Sequence, residues 1–136
     1  MSSSTALALT GFIAWTLFLL VLMEGIRSKL VVTKARAANS FPPDNAGLSP
    51  FMQRLARAHA NCLEGLPIFG GLMLVALATG RTAVTNPFAL VLLGARIFQS
   101  IIHLTSLSSA AVTLRFSAFA VQMVIAVFWS GMLLLG

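Results

Sequence analysis

Four long hydrophobic stretches divide the chain, and polar segments separate them. A helix needs about 20 consecutive apolar residues to cross the hydrocarbon core of a bilayer, so each stretch suits one crossing. The pattern therefore predicts an all-α fold, a single domain over residues 1–136 built as a bundle of four transmembrane helices. The predicted spans are residues 6–23, 58–79, 87–104 and 110–135, and residues 24–56 form the one long loop.

Prolines and turn-forming residues mark where the predicted helices bend, begin or stop. Residues 41–47, Phe-Pro-Pro-Asp-Asn-Ala-Gly, break any helix in the long loop. Pro67 lies inside the second hydrophobic stretch and should bend that helix, because it leaves a backbone carbonyl without its donor. Asn86 and Pro87 have the residue types of a helix cap and a first helical position, so they predict the start of the third span.

The first hydrophobic stretch has a cleavable signal peptide as its alternative interpretation. Residues 1–5, Met-Ser-Ser-Ser-Thr, lack the basic segment with which such peptides begin, and the apolar stretch is long for one. These two observations favour a retained first helix.

The composition places the chain in a membrane. Hydrophobic residues make up 58% of the sequence and charged residues 9%, and the mean hydropathy is +0.94. Since soluble domains carry about a quarter charged residues, water would not support this fold as a monomer. Cys62 is the only cysteine, which excludes an intrachain disulfide and a cysteine-based zinc motif and suggests a small buried side chain.

The net charge of +6 is concentrated around the long loop. The turn between the second and third spans carries only Arg81, and the last turn carries no basic residue. The excess of basic residues predicts that the first loop is cytoplasmic and that both termini lie on the opposite side. It also fits anionic lipid headgroups better than nucleic acid. The basic residues of this region are Arg27, Lys29, Lys34, Arg36, Arg54 and Arg57.

Three of the predicted helices carry a stripe of polar side chains at membrane depth. Such side chains are costly in lipid and therefore usually face a bundle interior or a cavity. Spacings of three, four and seven residues place the members of each stripe on one helical face. The stripes are Arg57, Asn61 and Glu64 on the second span, Arg96, Gln99, Ser100 and His103 on the third, and Arg115 and Gln122 on the fourth.

These stripes have a structural and a ligand-binding interpretation. In the first, Glu64 pairs with Arg57 or Arg96 to hold helices together, Arg57 extends to the headgroups, and His103 lies at the membrane interface. In the second, the arginines bind an anionic ligand, because Arg57, Arg96 and Arg115 outnumber the single carboxylate of the bundle. Arginine holds carboxylates and phosphates by paired hydrogen bonds. The sequence contains no metal-binding cluster and no phosphate-binding glycine loop.

The polar stripes lie within motifs that are recognisable. Residues 54–69, Arg-Leu-Ala-Arg-Ala-His-Ala-Asn-Cys-Leu-Glu-Gly-Leu-Pro-Ile-Phe, contain an Arg-Ala-His-x-Asn-x-x-Glu core followed by Pro-x-Phe. This segment closely resembles the helix-two signature of the MAPEG family, the membrane-associated proteins of eicosanoid and glutathione metabolism. Residues 95–100, Ala-Arg-Ile-Phe-Gln-Ser, resemble the helix-three motif, and residues 114–117, Leu-Arg-Phe-Ser, the start of helix four. The resemblance covers nearly the whole chain.

The resemblance implies a homotrimer of four-helix subunits that binds glutathione between neighbouring subunits, near the cytoplasmic side. Glutathione carries two carboxylates and one ammonium, which suits several arginines and one glutamate. A cation beside its thiol lowers the thiol pKa, and the thiolate is the nucleophile. By motif position, the expected glutathione-binding residues are Arg57, Asn61, Glu64 and Arg96, and Gln99 and Ser100, on the same face as Arg96, complete the expected binding set. The expected catalytic residues are Arg115, which would stabilise the thiolate, and Ser117 nearby.

The chain departs from the family pattern at several positions. It contains no tyrosine, whereas several eicosanoid-forming members carry tyrosines in helices three and four. His103 and Phe119 stand at those places. Gln99 replaces a histidine of some relatives, and Ala60 replaces a second arginine. These differences leave the specific eicosanoid reaction open.

Two functions therefore remain in competition. The leading one is a membrane glutathione transferase or peroxidase that acts on a lipophilic small molecule arriving through the bilayer. The alternative is a non-catalytic binding or scaffold protein of the same fold. A transporter is disfavoured because no repeat pair is visible. The compact, alanine-rich chain without an endoplasmic-reticulum retention signal favours a bacterial inner membrane.

The expected position of Arg115 conflicts with its expected role in glutathione binding. The turn before the fourth span is expected on the non-cytoplasmic side, opposite the first loop. Arg115 would then lie far from a cytoplasmic glutathione site, unless the third and fourth spans are offset or the helix begins deeper in the membrane.

Overall fold

The computed structural model describes residues 3–136, and this part of the chain folds into helices joined by loops, with no strand. Four helices are long and apolar enough to cross a membrane, which confirms the predicted fold class. Their bounds are Ser4–Val32 (α1), Pro50–Ala78 (α2), Thr82–Thr105 (α3) and Ser109–Leu135 (α4).

Helices α1 and α2 are longer than the hydrophobic stretches that predicted them. Helix α1 continues to Val32 rather than ending near residue 23, and α2 begins at Pro50 rather than near residue 58. Hydropathy reports where a helix leaves the hydrocarbon, whereas the helix itself ends only where capping or turn residues stop it. Ser49 provides such a start for α2, because its side chain accepts a hydrogen bond from the Met52 amide.

Pro67 perturbs α2 as the sequence predicted. The helix passes through a π-helical turn over Leu66–Gly70, and α-helix resumes at Gly71. Proline lacks an amide hydrogen, so the ladder of hydrogen bonds widens locally to accommodate it. Phe69 lies in this turn and is buried in the bundle.

The expectation that Asn86 and Pro87 begin the third helix was wrong. Helix α3 begins at Thr82, and Pro87 lies inside it. Asn86 instead caps α1: its Oδ1 accepts hydrogen bonds from the Thr5 amide at 3.0 Å and from the Thr5 hydroxyl at 2.6 Å. The residue type indicated a capping role correctly, but its partner is a different helix, which local sequence cannot reveal.

Hydrogen bonds between connecting segments show which of them share an end of the bundle. Arg54 Nε, at the start of α2, donates to the Leu104 carbonyl at 2.9 Å, so the turn between α3 and α4 lies beside the long loop. At the other end, Arg81 donates at 2.8 Å to the carbonyls of Met132 and Leu133. We call these the loop end and the terminal end of the bundle.

The expected position of the turn before α4 was therefore also wrong. Each crossing reverses the chain direction, so the first and third connections of a four-helix bundle necessarily share a side. The structure places Arg115 at the loop end, because its side chain lies beside His103 near the end of α3. The difficulty of an Arg115 remote from the other arginines disappears.

The long loop is ordered around Asn45. Asn45 is fully buried, accepts a hydrogen bond from Arg27 Nε at 3.0 Å and donates to the Met52 carbonyl at 2.6 Å. The ring of Phe41 lies 5.7 Å from the guanidinium carbons of both Arg27 and Arg36. Several of the loop's basic side chains are thus engaged within the loop itself.

Candidate functional site

The polar stripe of α2 faces partly outward. Arg57 and Glu64 are exposed on the surface of the chain, and Asn61 is half-buried against α3. Within residues 3–136 the only ion pair joins Arg27 and Glu24. The pairing of Glu64 with Arg57 or Arg96, expected from the structural interpretation, does not form within one chain.

Arg96 lies in the interior of the bundle, with no part of its surface exposed. Its Nη1 donates a hydrogen bond to Asn61 Oδ1. Its guanidinium carbon lies 5.4 Å from the ring centre of Phe12, 5.7 Å from that of Phe69 and 6.0 Å from that of Phe119. These aromatic faces stabilise the cation without neutralising it.

Two of the three guanidinium nitrogens of Arg96 have no hydrogen-bond partner. Nε and Nη2 are buried and donate to no protein atom among the described residues. An unsatisfied buried donor is costly, and more so when it belongs to a charged group. Nε and Nη2 of Arg96 are therefore donors of a charged group that the described chain leaves unsatisfied in the bundle interior.

Gly65 provides the space that the Arg96 side chain occupies. A Cβ atom at this position would lie 2.8 Å from Arg96 Nη2 and 3.0 Å from the ring of Phe69. Any larger residue would have to displace the guanidinium group or the ring. The absence of a side chain at Gly65 is thus part of the geometry around Arg96.

A chain of amide side chains links three helices beside Arg96. Gln99 Nε2 donates to Asn61 Oδ1 at 3.2 Å, and Gln122 Nε2 donates to Gln99 Oε1 at 2.8 Å. Both glutamines are buried. Gln99, which was expected to bind glutathione, bridges helices α2 and α4 within the chain.

Ser100 is likewise engaged inside the bundle. Its hydroxyl donates to the Arg96 carbonyl at 3.0 Å and lies 3.2 Å from Cys62 Sγ. Cys62 is a free thiol with no exposed surface, as expected for a small buried side chain. Ser100 therefore lies near Arg96, but its hydroxyl contacts the Arg96 carbonyl and the Cys62 thiol.

Arg115 and His103 form a second polar contact at the loop end. Arg115 Nη1 lies 3.2 Å from His103 Nε2 and 3.4 Å from Nδ1. His103 lies in the last turn of α3 and is buried, with 8% of its surface exposed. Arg115 contacts its ring, and the charges of Arg96 and Arg57 also lie near enough to act on it.

Ser117 lies apart from this cluster. Residues two apart in a helix point in nearly opposite directions, so Ser117 cannot share the face of Arg115. Its hydroxyl donates to the Thr113 carbonyl at 2.9 Å. The exposed side chain lines an apolar groove of about 420 Å³ between α3 and α4, together with Gly94, Ala95 and Phe98.

Sequence reasoning missed the aromatic side chains around Arg96 and the central position of His103. Phe12 belongs to a helix without any polar stripe, so no local signal connects it with Arg96. His103 was recognised as part of the stripe, and its spacing of seven residues from Arg96 did indicate a shared face. Its contact with Arg115 depends on how α4 packs against α3.

Comparison with known families matches residues 5–135 to the model of the MAPEG family. The chain belongs to the MAPEG family. No curated protein and no solved structure matches it. Membership confirms the resemblance carried by the motifs of α2, α3 and α4. Family membership and the four apolar helices together show that this MAPEG protein is an integral, multi-pass membrane protein. It also points to glutathione-related chemistry, since MAPEG members generally use glutathione.

Proposed function

We propose that this MAPEG protein is a membrane glutathione transferase or peroxidase. The thiolate of glutathione would attack a lipophilic electrophile, or reduce a hydroperoxide, that reaches the site through the bilayer. The observation that carries the proposal is Arg96, a buried cation with two unpaired nitrogens at the place where a family motif lies.

The balance of charge among the polar stripes of α2, α3 and α4 supports glutathione as the ligand. Arg57, Arg96 and Arg115 supply three positive charges, Glu64 supplies one negative charge, and Glu64 pairs with none of them within the chain. Glutathione brings two carboxylates and one ammonium. Its carboxylates would bind the arginines, and its ammonium would bind Glu64.

The exposed charges of α2 support assembly as a homotrimer. Arg57 and Glu64 lie on the outer surface of a helix that is long and apolar enough to span the membrane. Charged side chains that face hydrocarbon are costly, and a neighbouring subunit would shield them. In the proposed trimer, glutathione lies between Arg57, Asn61 and Glu64 of one subunit and the surface of the next.

Arg115 is proposed to stabilise the glutathione thiolate, and Ser117 to contribute to the entry of the second substrate. Arg115 lies beside His103 at the loop end, where its positive charge would favour the ionised form of the glutathione thiol. Ser117 opens instead onto the apolar groove between α3 and α4. A lipophilic co-substrate could reach the bundle along this groove.

The proposed orientation places the loop end in the cytoplasm, where glutathione is made, and both termini on the opposite side. The basic loop supports this orientation by the positive-inside rule. The membrane proposed is a bacterial inner membrane.

The test is turnover of the detergent-solubilised protein with a chromogenic electrophile and with a lipid hydroperoxide, each with and without glutathione. The proposal expects glutathione-dependent turnover and a thiolate absorbance band from bound glutathione. Arg115→Ala should lower both while glutathione affinity changes little, because the ligand's carboxylates keep Arg57 and Arg96. Glutathione binding without thiolate or turnover would contradict the enzyme and favour the binding or scaffold protein. Absence of glutathione binding would contradict the site itself.

A further inference from the structure

We propose that His103 is a positioning residue, which orients the guanidinium group of Arg115 toward the glutathione thiol. The inference rests on the proposed function, and it assigns a role to a side chain that the charge argument alone does not use. It starts from one contact: Arg115 Nη1 lies within 3.2 Å of His103 Nε2.

His103 is the hydrogen-bond partner that the structure gives to the Arg115 side chain. Arg115 Nε is buried without a partner, and no carboxylate lies in contact with the guanidinium group among the described residues. Arginine rotates about several bonds, so a single contact at one nitrogen decides which way the group faces. Removing the partner would leave the cation in the cluster without fixing its direction.

The contact requires His103 to be the acceptor. Nη1 lies 3.2 Å from Nε2 and 3.4 Å from Nδ1, so it faces both ring nitrogens. A guanidinium group only donates, so a hydrogen bond can form only with a ring nitrogen that carries no proton. The surroundings agree with this requirement. Arg115, Arg96 and Arg57 all act electrostatically on His103, and a protonated ring would add a fourth positive charge among them.

The backbone holds the two residues in register. His103 lies in the last turn of α3, and Arg115 lies early in α4. The turn between these helices is braced by serines: Ser106 Oγ accepts from the Ser108 amide at 3.1 Å, and Ser108 Oγ accepts from the Ala111 amide at 3.2 Å. The separation of the two side chains is therefore fixed by a short, hydrogen-bonded connection.

The experiment compares His103→Phe, which fills the space without an acceptor, with His103→Gln, whose amide oxygen can accept from Arg115. Thr105→Ala is the control, since Thr105 is exposed at the same end of α3. We would measure glutathione affinity by calorimetry, the thiolate fraction by absorbance, and kcat separately from KM. His103→Phe should keep glutathione affinity within about threefold while thiolate fraction and kcat fall by about tenfold or more, as for a displaced catalytic group. His103→Gln should restore part of both.

A double-mutant comparison separates positioning from a general loss of structure. If His103 acts through Arg115, His103→Phe should cause no further loss in an Arg115→Ala background. Additive losses, or a His103→Phe protein with the thiolate fraction and kcat of the wild type, would overturn the inference while leaving the proposed function intact. A wild type that forms no thiolate and turns nothing over would overturn the proposed function, and this inference with it.

Discussion

Arg81 lies at the terminal end of the bundle and Arg96 in its interior, and each places a guanidinium group among neighbouring helices. Arg81 donates from Nη1 and Nη2 to the carbonyls of Leu133 and Met132, at the C-terminal end of α4. Arg96 donates from Nη1 to Asn61 and leaves Nε and Nη2 without partners. The first arginine completes the hydrogen bonding of a helix end, whereas the second has two donors that its own chain leaves unsatisfied.

The same contrast extends to the residues around each arginine. At the terminal end, Thr5 hydrogen-bonds to both Thr85 and Asn86 and so joins α1 to α3. On α2, which contacts Arg96 through Asn61, the side chains of Arg57 and Glu64 are exposed and unpaired within the chain. The two groups therefore differ in whether their own chain satisfies them, and the unsatisfied group is the one proposed to bind a ligand.

The largest predicted difference between the ends is their accessibility in intact cells. In a Cys62→Ser background, a cysteine at Ala38 in the long loop should resist an impermeant thiol reagent until the cells are lysed. A cysteine at Thr79, in the exposed turn of the terminal end, should react in intact cells. The reverse pattern would invert the proposed orientation.

Gly65→Ala should weaken glutathione binding by about 1–3 kcal/mol, the usual cost of inserting atoms into a packed site. The added Cβ would lie 2.8 Å from Arg96 Nη2 and would push the guanidinium group away from its position. Calorimetric titration measures the loss. Gly71→Ala, on the same helix, is the matched control because a Cβ at Gly71 would meet no atom within 4 Å. Equal affinities of the two variants would show that Arg96 Nη2 has no part in binding.

Asn86→Ala should lower the stability of the fold by about 1–2 kcal/mol and leave glutathione affinity unchanged. The variant removes the acceptor of both the Thr5 amide and the Thr5 hydroxyl at the terminal end. Thermal melts in detergent, with and without glutathione, separate the two quantities. A loss of affinity in the folded variant would mean that the two ends of the bundle are coupled.

The sequence was sufficient to predict the four helices, the polar stripes and the disturbance at Pro67. A bilayer forces backbone hydrogen bonds to close within each helix, so hydropathy and proline positions carry most of the information about the fold. The sequence could not show that Asn86 caps a different helix, or that Phe12 packs against Arg96. Those contacts depend on how helices distant in sequence pack together. The end of the bundle at which the turn before α4 lies follows from the number of crossings alone.

The central claim is that the open hydrogen-bonding capacity of Arg96 belongs to glutathione, and one titration tests it most directly. Glutathione affinity would be measured by calorimetry for the wild type, Arg96→Ala, Arg96→Lys and Arg81→Ala, with the mass of each detergent-solubilised assembly determined in parallel.

Arg96→Ala should weaken binding by about 2–5 kcal/mol, because a ligand carboxylate is left unpaired in a partly dry site. Arg96→Lys should restore little, since lysine lacks the planar pair of donors. Arg81→Ala should bind as the wild type does, and the wild type should contain three chains. An Arg96→Ala protein that assembles normally and binds glutathione with wild-type affinity would contradict the account.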